Sequence, residues 1–515
     1  MSLTLAHEIA RGGLLANATQ SSLVSRNISN VDNPNAARKY AHTISSEIGV
    51  RLGTISNAVS TRLLESVLSS SAKHSELSSM SAALERLGAV VNDPELGVSP
   101  AAMLTEMQKA LYAAAADPSN ESLLRNVVSA ANNIAYTLQD AAKLVAQVRK
   151  EANTDLAEAT RQLGSLLKDF EDTNNAIVSG TVIGRDVTDQ IDRRNMLLRE
   201  ISGLIDIHPT TRSNNDMVLF TANGTTLFET VPRAITFDNA PLSPGQPGGL
   251  LTIDGVPYSG AAATRIGGKI GGLLQIRDDV SISFGSQIDE IARGLITAFA
   301  ESDQSGTPTL PSIAGLFTWS GGPALPASGT VLDGIAMSIQ VNPNADPSQG
   351  GVLARIRDGG IGDPSEPDYV YNAGGGAGFS QRLRDLAAAM SETQAFDPAT
   401  GLSSSKSLLA LATESGGPPQ QHERTSGRPR GARRACTQCL AGPGRHQPRR
   451  GDDQPDGNRA LLSGDGSAHI DRRSDVPVHP ESHGGTVRHE SRYHLDARFS
   501  RDPAHGQCEK SGQSR

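Results

Sequence analysis

The chain has 515 residues, 37% of them hydrophobic but only 3% aromatic, and a formal net charge of −8 at pH 7. Large aromatic-rich enzyme cores are excluded by that composition. Long thin helical assemblies, which bury Ala, Leu and Val along seams, fit it, and the length leaves room for more than one domain.

No apolar run approaches the roughly 18 residues of a membrane span, and the first residues lack a basic-then-apolar signal, so neither a transmembrane helix nor a cleavable signal peptide is expected. The first stretch, Leu3 to Val31, instead carries a seam. Positions 3, 7, 10, 14, 17, 21, 24, 28 and 31 alternate steps of four and three, the coiled-coil period. Leu3, Ala10, Leu14, Val24, Ile28 and Val31 are apolar, whereas His7, Asn17 and Ser21 interrupt them. Such a helix buries too little to be stable alone and needs a partner, in its own chain or in a neighbour's. Those six apolar residues are the candidate subunit-packing positions. Asn30, Asp32, Asn33 and Pro34 end the helix, and Ala41 to Ile55 reads as an extended connector.

A second helix is expected over Val59–Val91 on a seam of Val59, Leu63, Ser66, Ser70, Lys73, Leu77, Met80, Leu84, Leu87 and Val91, stopped at Asn92-Asp93-Pro94. Ser99-Pro100 restarts a helix with an N-cap and a proline at its first position. Asp117-Pro118 breaks it and Ser119 caps the next. That one, Ser119 to Asn175, is the strongest signal in the chain. Its seam of Leu124, Val127, Ala131, Ile134, Leu138, Ala141, Val145, Val148 and Ala152 has no polar member. A stutter follows, then Leu156, Ala159, Leu163, Leu166 and Phe170. This helix is expected to pack on Val59–Val91.

Arg185 to Ile207 is a charged helix running into a strand. Asp189, Asp192 and Glu200 have the chemistry of acid/base groups, but a pair between Asp189 and Arg193, one turn on along a solvated face, explains the spacing more simply. Asn223-Gly224 between Met217–Phe220 and Thr226–Phe228 predicts a hairpin, and Asp254-Gly255 between Leu250–Ile253 and Val256–Tyr258 predicts another. The chain then returns to helix, with Ile288, Ile291, Leu295 and Ala298 as its stripe. Gly267–Gly272 lacks phosphate-loop spacing and Gly374–Gly378 is equally bare, so both read as hinges or turns. Ser403-x-x-Lys406 lacks the companion motifs of serine hydrolases. Thr307 to Tyr371 is Gly/Pro-rich with short strands such as Ala336–Val341. Ser380–Met390 and Ser405–Thr413 read as helices rejoining the bundle.

Three of these stretches resemble one family. Ser25-Arg26-Asn27-Ile28-Ser29-Asn30-Val31-Asp32-Asn33-Pro34 is similar to the N-terminal motif of bacterial flagellar axial proteins, although Pro34 and Asn35-Ala36 stand where that family has Thr and Gly-Tyr. Asp189-Gln190, Leu197, Glu200, Ser202, Leu204 and Asp206 fall in register with a segment of the flagellar hook-associated protein 1 family. Gly267-Gly268-Lys269-Ile270-Gly271-Gly272-Leu273-Leu274-Gln275-Ile276-Arg277-Asp278 resembles the same family again. The resemblance runs from Ser2 to about Ser415. It makes Asn27, Asn30, Asp189, Gln190, Glu200, Gly271, Gly272 and Arg277 the family-motif positions.

At Gly416-Gly417-Pro418-Pro419 the composition breaks. The last hundred residues hold eight of the twelve histidines, all three cysteines, and sixteen arginines against a single lysine, Lys510. Cys436-Thr437-Gln438-Cys439 has C-x-x-C spacing, with His446 and Cys508 as further candidate ligands, but the second half of a zinc pair is missing. A nucleic-acid-binding tail would need aromatics to stack bases, and this one has almost none. A disordered interaction tail and an out-of-frame translation of a GC-rich gene both fit the composition, and the Arg-over-Lys bias with excess Pro, Gly, His and Cys favours the second.

The expected fold is mainly α with inserted β: a long coiled-coil-like helical bundle carrying a β-rich outer domain, with a disordered C-terminal tail. The expected segments are an N-terminal axial helix and connector (1–58), the long bundle (59–205), an inserted β-rich domain (206–262), a return helix (263–306), a Gly/Pro-rich β segment (307–375), helices rejoining the bundle (376–415) and the tail (416–515). The resemblance implies a structural adaptor at the hook–filament junction, not an enzyme. It implies export without a cleavable signal, a ring of subunits, contacts with hook protein and with a second junction protein, and an export chaperone. No cofactor, metal, nucleic acid or membrane partner is expected. A secreted wall-degrading hydrolase would need convergent carboxylates that the sequence does not display. Another axial protein, such as hook protein, is argued against by the 189–206 and 267–278 segments.

Overall fold

The long helix organises the architecture. In a computed structural model, which describes residues 3–46, 49–91, 99–259, 265–397, 400 and 405–415, it runs unbroken over Glu121–Val182 (α4). At about 1.5 Å per residue it is roughly 90 Å long. Every apolar seam position from Leu124 to Phe170 is buried. The expectations for the C-x-x-C pair and the out-of-frame tail, for the stop at 92–94 and for Ser403 lie outside the described residues.

Before α4 come α1 (Leu3–Ser29), the antiparallel pair β1 (Lys39–Ser46) and β2 (Gly49–Asn57), α2 (Thr61–Val91) and α3 (Pro100–Ala116). The segment expected as an extended connector is therefore a hairpin. Ser99 caps α3, its side chain accepting from the amide of Ala102, with Pro100 in the first turn. The cap of α4 is Asn120 rather than Ser119: its side chain accepts from the amide of Ser122, while Ser119 donates to Asp117. On α2 the buried stripe is Leu64, Leu68, Ala72, Glu76, Met80, Ala83 and Leu87. The first half of the expected seam is thus not the buried one: Leu63, Ser66 and Lys73 face water, and the buried positions step by four from Leu64 to Met80.

After α4, helix α5 (Thr188–Leu204) leads into a three-stranded antiparallel sheet of β3 (Ile207–Thr211), β4 (Met217–Thr221) and β5 (Thr226–Phe228). Its inner face packs on α4, where Phe228 meets Phe170 edge-on at 5.0 Å. The Asn-Gly turn has a positive φ only at Gly224, and the Thr221 hydroxyl accepts from the amide of Thr225. This is a longer loop than the two-residue primed turn that the dipeptide suggests. A second sheet holds β6 (Ile235–Phe237), β7 (Leu251–Ile253) and β8 (Val256–Tyr258). There Asp254 and Gly255, at φ 52° and 76°, do form the expected two-residue turn.

The return helix is α6 (Gly268–Gln275), a π-turn over Ile276–Val280 and α7 (Ser281–Ala298). Beyond it, β9 (Phe317–Thr318) pairs with β10 (Gln340–Val341), and the expected strand at 336–338 is instead a helical turn, α8 (Ile335–Ser338). The Asp289 carboxylate on α7 accepts from the amides of Gly334 and Ala336 at 2.7 and 2.9 Å, which fixes that turn in place. A short helix α9 (Ala354–Asp358) precedes α10 (Gln381–Ala389), which lies on α3, the Gln108 side chain donating to the carbonyl of Ala387. The pair β11 (Thr393–Ala395) and β12 (Ser405–Ser407) precedes α11 (Leu408–Ser415), so the start of the expected helix at 405–413 is a strand. The buried ion pair Arg382–Glu301 at 3.0 Å ties α10 to the end of the return helix, and Arg293, paired with Glu290 on α7, donates to the carbonyl of Ala395 in β11.

Candidate assembly surface and its anchoring joint

Helix α1 lies along the β1–β2 hairpin, with Ile9 against Gly49 at the hairpin tip and Asn27 against Lys39 at its base. The approach is close: a Cβ on Gly12 would come within 3.2 Å of the Val50 carbonyl. The side of α1 that meets the hairpin buries Ala16 and Leu23. The predicted packing positions are on the other side. Leu3, Leu14, Val24, Ile28 and Val31 are 55–88% exposed, and Ala10 is exposed as well. The seam that periodicity picks out is therefore an apolar stripe facing solvent, separate from the residues that hold α1 to its own chain.

The hairpin base meets the start of α5 in a dense polar cluster. Arg26 donates to Asp186 at 3.0 Å and to Asp189 at 2.6 Å. The Lys39 ammonium, 5% exposed, pairs with Asp189 and lies 3.5 Å from Asp192. Asp192 also accepts from the amide of Ala37 and, at 2.8 Å, from the Asn57 side chain. Asn57 donates further to the carbonyl of Thr188, and Arg199 donates to Asn35. The environment splits the carboxylates. The hydrogen bond from Lys39 holds Asp189 below the ordinary carboxylate range, whereas burial pushes Asp192 above it. The Arg26 guanidinium is held charged chiefly by its bond to Asp186.

Asp189 thus pairs with Arg26 and Lys39, from the far end of the chain, and not with Arg193. The expected i,i+4 pair loses because Arg193 points to solvent while two cations of the N-terminal segment reach the other side of Asp189. Asn27 brackets Lys39 from both sides, its amide nitrogen donating to the Lys39 carbonyl and its oxygen accepting the Lys39 amide, both at 2.8 Å. Asn30 donates to the carbonyl of Arg26 and fastens the last turn of α1. Gln190 is half-buried, and Glu200 faces solvent outside the cluster. Two motif stretches about 160 residues apart therefore meet at one joint. Lys39 and Asn57 lie in neither stretch, and nothing in their sequence surroundings marks them. Asp192 stands in the second stretch, its role hidden by a pattern that reads as a solvated helix face.

The glycine-rich motif does different work. Gly268 has φ +67°, and a Cβ there would sit 2.5 Å from the backbone of Leu204 and Ile205. One turn on, a Cβ on Gly272 would lie 2.8 Å from the Glu76 carbonyl. Glycine is required because α6 crosses α5 and α2 at backbone contact. Gly271 is buried in the same turn. Arg277, 1% exposed in the π-turn, donates twice to Asp278 and once to Asn153 of α4, and its guanidinium stacks over Phe237 at 5.5 Å. Arg149 of α4 donates in turn to the carbonyls of Arg277 and Ser243. This bracket pins the second sheet and its 239–248 loop to the long helix.

Among the described residues no group of three His, Cys, Asp or Glu side chains could hold a metal ion, and no helix is long and apolar enough to cross a membrane. Residues 84–313, from the end of α2 through the π-turn and α7, match the family described as the flagellar hook-associated protein FlgK helical domain. The FlgK match takes in the whole of α4, the Asp189–Asp192 half of the joint, the α6 glycines and the Arg277 bracket. Among solved structures, the flagellar hook junction protein FlgK from Burkholderia pseudomallei is similar, at 20% identity and a TM-score of 0.41. The similarity covers 50% of this chain and 47% of that one, so the chain spans about half the length of that protein. No curated protein sequence matches.

Proposed function

We propose that this chain is a structural adaptor of the bacterial flagellum, working at the hook–filament junction, where copies associate in a ring between hook protein and a second junction protein. The observation that carries the reading is the FlgK helical-domain match over residues 84–313. The outward apolar stripe of α1 supports it, because an unpaired seam with coiled-coil spacing is a surface for a helix of another copy. In this reading Leu3, Ala10, Leu14, Val24, Ile28 and Val31 make subunit contacts. Asn27, Asn30, Asp189 and Gln190 hold the N-terminal segment to the helical body. Gly271, Gly272 and Arg277 keep that body rigid, and Glu200 is left free for a neighbour. The chain leaves the cell through the flagellum's own channel, with an export chaperone beforehand, and reaches the extracellular flagellum.

Immunogold labelling tests this. In a flagellated strain lacking its own junction protein, the expressed chain is expected at the tips of hooks. Label spread through the cytoplasm or along the cell wall would overturn the reading.

A further inference from the structure

Among the described residues, the contacts of α1 and its hairpin with the start of α5 are polar. Arg26, Lys39 and Asn57 on one side face Asp186, Asp189 and Asp192 on the other, with Arg199 reaching back to Asn35. The buried apolar residues of the segment, Ala16 and Leu23, sit in α1 on the hairpin side. A body held to its neighbour chiefly by charge pairs and hydrogen bonds keeps its orientation mainly while those bonds are made, since little buried apolar area penalises its departure.

We infer that α1 and the β1–β2 hairpin form one lever, and that the Arg26/Lys39–Asp186/Asp189/Asp192 cluster is an electrostatic latch that fixes its angle on the helical body. The latch does this at a joint whose two halves differ in accessibility. Lys39 and Asp192 are buried, whereas Asp189 is 67% and Arg26 33% exposed. Water and salt reach the outer pairs, and the inner pair sets the register. Asn27 makes Lys39 part of the lever rather than a free side chain, because it grips the Lys39 backbone on both sides. Every seam residue from Leu3 to Val31 rides on this lever, so the latch decides where the stripe points. The inference rests on the ring reading for its biological meaning, but its test reads the free subunit.

Spin labels at Asn17→Cys on α1 and Ser165→Cys on α4, both exposed, report the lever angle as a distance distribution in the full-length chain with Cys436, Cys439 and Cys508 replaced by serine. A single narrow distance is expected. Asp189→Asn with Asp192→Asn, which removes three ion pairs, should raise the population away from that distance by at least about tenfold, the effect of losing even one charge-assisted contact, with helical content by circular dichroism unchanged. Lys39→Met, which keeps the buried stem, should do the same. Should the carboxylate variants fail to fold, raising salt from low to about 1 M on the otherwise unmutated labelled chain must broaden the distribution by screening the outer pairs. A distribution left narrow by the folded variants and by salt overturns the latch. Because assembly plays no part in the readout, failure here is distinct from absence at the hook tip.

Discussion

The long helix and the N-terminal lever present the same kind of pattern to a reader of the sequence and do opposite things with it. In α4, a seam of Leu, Val, Ala and Ile at alternating three and four spacing is buried along its whole length. In α1, a weaker seam of the same spacing is turned to solvent, and the helix is held by Ala16, Leu23 and a cluster of charges. Spacing identifies an apolar face in both cases. What differs is how much else there is to bury it against. Helix α4 meets α2, α3, α5, α6, α7 and, through Phe170 and Phe228, the first sheet, whereas among the described residues α1 packs chiefly on a two-stranded hairpin and reaches α5 through Arg26. An apolar face with no layer of its own chain to cover it is kept for another molecule or left wet.

The comparison breaks most clearly at Phe170. Its ring is fully buried and packs edge-on against Phe228, joining α4 to the first sheet. Phe170→Ala should cost about 3–5 kcal/mol through lost transfer energy and the cavity left behind. Urea unfolding monitored by circular dichroism measures this, and a cost below about 1 kcal/mol would show that the sheet does not rely on that contact.

The next effect is smaller and depends on pH. Burial pushes the Asp289 carboxyl up from its ordinary value of 3.8 to about 6, with Asp333 and Glu290 adding to the push and the amides of Gly334 and Ala336 opposing it. The folded state therefore holds a proton that the unfolded chain has already released between those values. Its contribution to stability is fully present below pH 3.8 and is lost as pH rises through about 6. A shift of that size corresponds to roughly 3 kcal/mol. Asp289→Asn should flatten the stability profile between pH 4 and 6, read as the urea midpoint across that range. An unchanged slope would place the titration on another group.

Gly272→Ala sharpens the packing side of the comparison. A Cβ at 2.8 Å from the Glu76 carbonyl meets backbone rather than a yielding side-chain tip. The two helices must part to admit it, at about 1–3 kcal/mol. A neutral substitution would mean that α2 gives way freely at this crossing.

Much of the rod was legible in advance because its residues obey a local rule repeated many times. The seam of α4, the cap at Ser99 and the turn at Asp254-Gly255 each follow from neighbours within one or two turns. The first half of α2 departs from its expected seam, and its buried stripe includes Glu76, whose carboxylate accepts from Gln275 of α6. A charged residue in a core stripe can be recognised only once its partner is in place. The joint was illegible for the same reason. Arg26, Lys39, Asp189 and Asp192 look like solvated charges one by one, and only the fold brings them together across about 150 residues. The π-turn at Ile276–Val280 likewise has no local signature, since it serves the contact of Arg277 with Asn153 and Asp278.

The smallest effect on the free subunit should come from the stripe that matters most to the proposed assembly. Leu14 is 71% and Ile28 67% exposed. Truncating either removes apolar surface that is already in water, leaves no cavity and breaks no hydrogen bond. Leu14→Ala and Ile28→Ala should therefore stay within about 0.5 kcal/mol of the parent in unfolding experiments. Alanine is also the best helix former, so α1 loses nothing in propensity. If the stripe is a subunit surface, the same pair of substitutions made together should leave the monomer's unfolding curve in place while reducing the label at hook tips. The opposite result, a destabilised monomer with hook-tip labelling intact, would mean that α1 folds back on its own chain through this face, and would remove the distinction between the rod and the lever.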